Sequence, residues 1–253
     1  MRFGVITDLH FREAVPGEAS NPRREGRRVG ELLERCLEEM RAVDVQLLVC
    51  LGDCVDDERQ PGALEDLATL ARRLEAGGLP YVVMAGNHDH APEAFFRVMP
   101  RPQRWQRVGG CDFFVCFDDV QVPGSDQSRR SDAVMAEMGR RLSEPGPLTV
   151  VAQHYVVYPD HVGAGYDHTY QNAAEIRALM EASPRRVLSL SGHYHRGHAL
   201  YEHNGVQYVT ARALCESPYP YYVVEADGDR AEVRIEERAL AVADAGVSGT
   251  PGR

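Results

Sequence analysis

The chain is short of three things: tryptophan, of which 253 residues contain one, basic charge, and long apolar runs. The 28 basic side chains stand against 38 acidic ones, for a net charge of −10, which excludes a general attraction to the phosphate backbone of long nucleic acids. A small anionic substrate would therefore need local positive charge. No run approaches the roughly 18 apolar residues that cross a bilayer, so no membrane span is expected. Glycine (23) and proline (15) are too few for a collagenous or wholly disordered chain. Six cysteines in a chain this long are not a disulfide framework and read as reduced thiols. The run Met1 to Thr7 meets Asp8 and His10 with no cleavage site behind it, so a cytoplasmic protein without a leader is expected. What the chain does have is a 43% hydrophobic content, enough for a sizeable core in one large domain or two small ones.

Short β-branched apolar runs at Phe3 to Ile6, Val45 to Leu51, Leu79 to Ala85, Leu148 to Ala152 and Val187 to Leu190 have the texture of buried parallel strands. Between the first two, Val29, Leu32, Leu33, Cys36, Leu37 and Met40 share one helical stripe. Leu64, Leu67, Leu70 and Leu74 do so before Leu79, and Asn172 can cap a helix reaching Met180. This alternation predicts an α/β fold with right-handed crossovers. After Ser191, closely spaced strands at Ala199 to Glu202, Val206 to Thr210, Tyr221 to Glu225 and Ala231 to Arg238, turning at Asn204-Gly205 and Asp227-Gly228-Asp229, predict an antiparallel portion that continues the sheet or forms a second one. Residues 1–240 form the expected domain and 241–253 a mobile tail.

Each apolar run ends in metal-ligand residue types: Asp8-Leu9-His10, Gly52-Asp53, Gly86-Asn87-His88-Asp89, Gln153-His154, and Gly192-His193-Tyr194-His195. Open α/β sheets bind ligands at the carboxyl ends of their strands, so five such ends deliver these groups to one place. One strand-end Asp or His alone is commonly a turn former. Five in order are a different matter. The series DLH (8–10), GDCVD (52–56), GNHD (86–89), His154 and GHYH (192–195) resembles the calcineurin-like metallophosphoesterase superfamily, whose pattern is DxH, GDxxD or GDxxR, GNHD or GNHE, H and GHxH.

The resemblance implies a four-layer α/β/β/α sandwich of two mixed sheets with a dinuclear metal site at the strand ends. It implies that Asp8, His10, Asp53 and His195 hold one metal, that Asp53, Asn87, His154 and His193 hold the other, and that Asp53 bridges them. Mixed oxygen and nitrogen donors suit Mn, Fe, Zn, Co or Ni better than Ca, with Mn, Fe or Zn the metals expected. A hydroxide shared by two such ions would attack phosphorus. His88 would protonate the leaving oxygen, with Asp56 orienting its ring, while Asp89 would be structural.

The expected activity is hydrolysis of small phosphate esters, with phosphodiesters and nucleotide-type substrates ahead of monoesters, as in the compact phosphodiesterase-type members. A phosphomonoesterase is the alternative. A nuclease is disfavoured by the charge, and a non-catalytic metal-binding scaffold by the complete ligand set. Cys50 and Cys54, C-x3-C around Asp53, read as packing thiols. His90 and His198 read as surface histidines beside the motifs, and His203 as exposed before its turn. Arg23, Arg24, Arg27 and Arg28 read as a solvated helix face, and Arg101, Arg104 and Arg107 as an aromatic-basic patch with Trp105 in a loop. Tyr155 to Tyr170, with Gly163 and Gly165, is a candidate cover for the site.

Overall fold

Along a strand successive side chains point to opposite faces, so a strand that is apolar throughout feeds two cores at once. The structure, a computed structural model, describes residues 1–19, 21–125, 127–159, 162–163 and 166–241. The expected tail beyond residue 241 and residues 160–161 and 164–165 of the Tyr155 to Tyr170 segment lie outside the described residues. In chain order, β1 (Arg2–Ile6) is followed by α1 (Val29–Ala42), β2 (Leu47–Cys50), α2 (Ala63–Ala76), β3 (Tyr81–Val83) and the single turn α3 (Pro92–Phe95). Next come β4 (Trp105–Val108), β5 (Cys111–Val115), the short pair β6 (Val120–Gln121) and β7 (Ser128–Arg129), α4 (Asp132–Leu142) and β8 (Thr149–Ala152). The short pair β9 (Val162–Gly163) and β10 (Tyr166–Asp167) precedes α5 (Ala173–Glu181), β11 (Val187–Ser191), β12 (His198–His203), β13 (Val206–Thr210), β14 (Pro220–Asp227) and β15 (Glu232–Ala239).

The first large sheet has the order β15-β14-β1-β2-β3 and the second β12-β13-β11-β8-β5-β4. The first sheet is parallel from β1 through β2 to its edge β3 and antiparallel on the side of β14 and β15, whereas the second has parallel central strands and an antiparallel strand at each margin. Phe3, Val49, Phe113 and Val150 point between the sheets, where Phe3 and Phe113 meet edge to face at 5.4 Å. Ile6, Leu48 and Val83 point the other way, onto the stripe of α1 and onto Leu67, Leu70 and Leu74 of α2, whereas Leu64, expected on that stripe, is exposed at the start of the helix. Phe114 and Val151 point onto Val134 and Met138 of α4 and Ile176 of α5. Three cores between four layers make the α/β/β/α sandwich.

The structure corrects four expectations. Trp105 belongs to strand β4, paired with β5, and not to a loop. Its basic neighbours are occupied: Arg104 with Asp118, and Arg107 with Asp112 at 2.7 Å. The C-terminal strands divide between the sheets, because β13 pairs in parallel with β11 while β14 pairs antiparallel with β1. The four arginines of residues 23–28 do not form a solvated helix face. Arg27 donates to the carbonyls of Val15 and Gly17, and Arg28 to Glu25 and Tyr219, while Arg24 points inward. His203 is half-buried, stacked on Tyr158 at 4.7 Å.

Candidate metal centre

Strands β1, β2 and β3 of the first sheet end beside β8 and β11 of the second, so residues from five strand ends converge. The backbone bends sharply where they do: Asp8, His10, Asp53 and His193 have φ of 51°, 45°, 52° and 67°. That left-handed conformation is costly for side chains of this size and clusters at functional sites. Close approach also dictates residue type. A Cβ on Gly86 would lie 2.1 Å from Asp53 Oδ1, and one on Gly192 would lie 2.0 Å from Thr7 Oγ1.

Two groups of ligand atoms form there, each within 4.8 Å: Asp8, His10, Asp53 and His195, and Asp53, His154 and His193. Asp53 is common to both. Its Oδ2 faces His10 Nε2 at 3.6 Å while its Oδ1 faces His154 Nε2 at 3.4 Å and accepts from the His88 backbone at 3.0 Å. Asn87 joins the second group through Oδ1, 3.2 Å from His154 Nε2. Asp8 Oδ2 accepts from Thr7 Oγ1 and the His193 N–H, while Oδ1 lies 3.4 Å from His195 Nε2 and is buried without a hydrogen-bond partner.

The histidine nitrogens are oriented from behind. His154 Nδ1–H donates to the Leu51 carbonyl at 2.8 Å, and His195 Nδ1–H to Glu216 Oε1 at 2.7 Å, so each turns Nε2 inward. His195 Nε2 and His10 Nε2 then stand 3.1 Å apart, a separation at which two imidazole nitrogens need a proton or a cation between them. The buried oxygen and imidazole donors fit a pair of cations. Cys215 lies near His10 and His195, but burial pushes its thiol well up and keeps it a poor donor.

Electrostatics agree with this fit. Burial pulls the His154 and His195 imidazoles down, but Asp53 and Asp8 respectively overcome it and raise each to about 9. Burial would raise Asp53 and Asp8, yet His154 and His195 hold them below the usual carboxylate range. Burial holds His10 and His193 neutral. Two protons thus balance two carboxylates in the metal-free cluster. Asp89, pushed up to about 7 by burial and by Asp53, accepts from the backbone N–H groups of Cys54, Val55 and Gly86 and braces the loops.

His88 lies beside these groups with its ring edge to face on His10 at 4.7 Å. Its Nδ1–H donates to the Asp56 main-chain carbonyl at 2.5 Å, so Asp56 meets the ring through its backbone. The Asp56 carboxylate instead receives Arg12 at 2.6 Å and faces Arg24 at 3.5 Å. Glu216, Arg12 and Arg24 were not legible as site residues, since no strand end or motif spacing marks them. Tyr155 and Tyr170, the ends of the candidate cover, are buried and pack on each other at 5.3 Å.

A family model described as calcineurin-like phosphoesterase matches residues 1–197. A curated relative from Psychrobacter sp. (strain PRwf-1), named "Probable cyclic nucleotide phosphodiesterase", is 24% identical over 194 residues, 69% of this chain and 54% of its own length. The chain thus spans about half the length of that relative. A dimetal phosphatase from Danio rerio matches with a TM-score of 0.74 at 15% identity, covering 94% of this chain and 96% of that one. A purple acid phosphatase from yellow lupin (Lupinus luteus) seeds matches at 0.66 and 14% identity, covering 94% of this chain and 51% of that one. At such identities the structural likeness concerns the fold.

Proposed function

The chain belongs to the calcineurin-like phosphoesterase family, and from that premise we propose that it is a two-metal hydrolase favouring phosphodiesters and nucleotide-type substrates over monoesters. The observation that carries this reading is Asp53, whose two carboxylate oxygens face two separate ligand groups. Asp8, His10, Asp53 and His195 hold one ion, and Asp53, Asn87, His154 and His193 the other. When bound, the two ions, of the Mn, Fe or Zn kind, supply Lewis acidity at the phosphoryl oxygens and lower the pKa of water so that it attacks near neutrality.

The chain's own residues do the rest. Asp53 accepts the His88 N–H and so ties the proton-donor loop to the ligand cluster. Because the Asp56 carbonyl can only accept, Nδ1 of His88 carries the hydrogen there and Nε2 is the atom that gives a proton to the departing alkoxide. Arg12 holds Asp56, and through it the carbonyl that orients the ring. The lean toward diesters is supported by the name of the Psychrobacter relative. Six buried cysteine thiols support a reducing, cytoplasmic setting.

The test is a panel of phosphate monoesters, cyclic and linear diesters, and nucleoside diphosphate compounds, run on chelated and metal-reloaded protein. Hydrolysis should vanish on chelation, return with Mn or a similar ion, and be fastest on diesters. Full activity in a verified metal-free preparation sinks the two-metal reading, and a preference for monoesters sinks the substrate class.

A further inference from the structure

The sequence contains no lysine, so each of its 28 basic side chains is an arginine, and any fixed positive charge offered to a phosphate must come from one of them. Near the metal centre most are occupied. Arg12 uses Nη1 on Asp56 at 2.6 Å and Nη2 on the Pro16 carbonyl at 2.5 Å. Arg23 is largely exposed, with Glu216 as its acidic neighbour at 3.9 Å. Arg24 differs. Its side chain is 15% exposed, and its Nε, like that of Arg12, is buried without a hydrogen-bond partner among the described residues, but it lacks the close contacts that occupy both terminal nitrogens of Arg12. Its Nη1 reaches His88 Nε2 and Asp56 Oδ1 only at 3.5 Å, the outer limit of a hydrogen bond.

A guanidinium taken out of water with unused donors is costly, and such groups call for a ligand. Asp56 binds Arg12 closely through Oδ2 and faces Arg24 through Oδ1 at 3.5 Å, so two guanidinium groups share one carboxylate and positive charge is in excess beside His88. The turn that carries Arg24 is pinned: its N–H donates to the Asn21 carbonyl at 3.0 Å and the Glu25 N–H to the Cys215 carbonyl at 2.9 Å. The donor is therefore held ready, as an anion site requires.

We infer that Arg24 is a substrate-contacting residue that donates to a non-bridging oxygen of the scissile phosphoryl group, on the side where His88 meets the leaving oxygen. This rests on the phosphoesterase reading above. An oxygen of the same phosphoryl group comes within reach of Nη1 when His88 Nε2 faces the leaving oxygen. Nη1 and Nη2, the end-on edge of the guanidinium, then offer the two-donor fork that suits phosphate.

The direct probe is inorganic phosphate, titrated calorimetrically into metal-loaded protein, with metal content measured on the same samples. Arg24→Ala and Arg24→Gln should keep both metals and weaken phosphate binding on the order of 10-fold to 100-fold, the loss of a hydrogen bond to a charged group. Hydrolysis by Arg24→Ala should fall by a similar factor and recover in part when guanidinium is added. Unchanged phosphate affinity in both variants, or loss of metal from both, overturns the assignment and makes Arg24 a support for Asp56. Phosphate binding is read without turnover, so a wild-type protein inert on every ester would count against the functional reading alone.

Discussion

A p-nitrophenolate leaves without a proton and an alkoxide does not, so His88 is best tested by comparing two leaving groups on one variant. His88→Ala should keep both metals and slow alkyl ester hydrolysis by about 10²–10⁴-fold, with a smaller loss on p-nitrophenyl esters. Equal losses would mean that His88 positions phosphate instead. The ligand histidines make a second prediction. His154 and His195 are raised to about 9 in the metal-free cluster, so near neutrality each holds a proton that a cation must displace. Because these pKa values lie above that of an unfolded histidine, the stabilisation they give is full below the unfolded value and is lost as pH rises through about 9. Metal loading near neutrality should thus release about two protons, fewer as pH passes about 9, as read by calorimetry in buffers of different ionisation enthalpy. Release of none would contradict the charge arrangement. The motif residues could be read from the sequence because each sits one to five positions beyond an apolar run. Arg24 and Glu216 could not, since only the folded chain brings them to His88 and His195.

The elements were legible where two faces are buried and obscure where one is. Strands β1, β2, β8 and β11 are continuous apolar runs, and α1 and α2 have broad stripes. Helix α4 buries only Val134, Met138 and Leu142, a stripe too narrow to stand out, although Ser131 caps it by accepting from the Val134 N–H. Strand β4, Trp105-Gln106-Arg107-Val108, has no fully buried residue and follows Pro100 and Pro102, so it passes for a loop. The division of the C-terminal hairpins between sheets depends on pairing partners more than 100 residues away, as with β14 on β1, and no local pattern encodes it. Phe113 on β5 packs between the sheets that carry the two halves of the ligand set. Phe113→Ala should cost about 3–5 kcal/mol of stability in denaturant unfolding, and metal affinity should fall with it. A destabilised protein with unchanged metal affinity would show that the inter-sheet core does not hold the site together.

At the scale of the molecule, two sheets facing each other bring the polar groups of five strand ends to one edge, while most other charge stays outside, apart from buried groups such as Asp66 and the Arg130–Asp119 and Arg185–Asp112 pairs. The sequence is on balance anionic, whereas the site gathers oxygen and imidazole donors that fit cations, and on the proposed reading Arg24 and His88 would meet a phosphate beside them. The four layers followed from the alternation of strand and helix together with the family resemblance, while the interlocking of the two sheets is a property of the whole chain. All of this centres on one carboxylate shared by two ions. The decisive measurement is metal content per chain, by elemental analysis after reloading, for wild type, Asp53→Asn and Asn87→Ala. The account predicts about two ions in wild type, loss of both together in Asp53→Asn, and loss of mainly one in Asn87→Ala. A single ion in wild type, or two ions retained by folded Asp53→Asn, would contradict it.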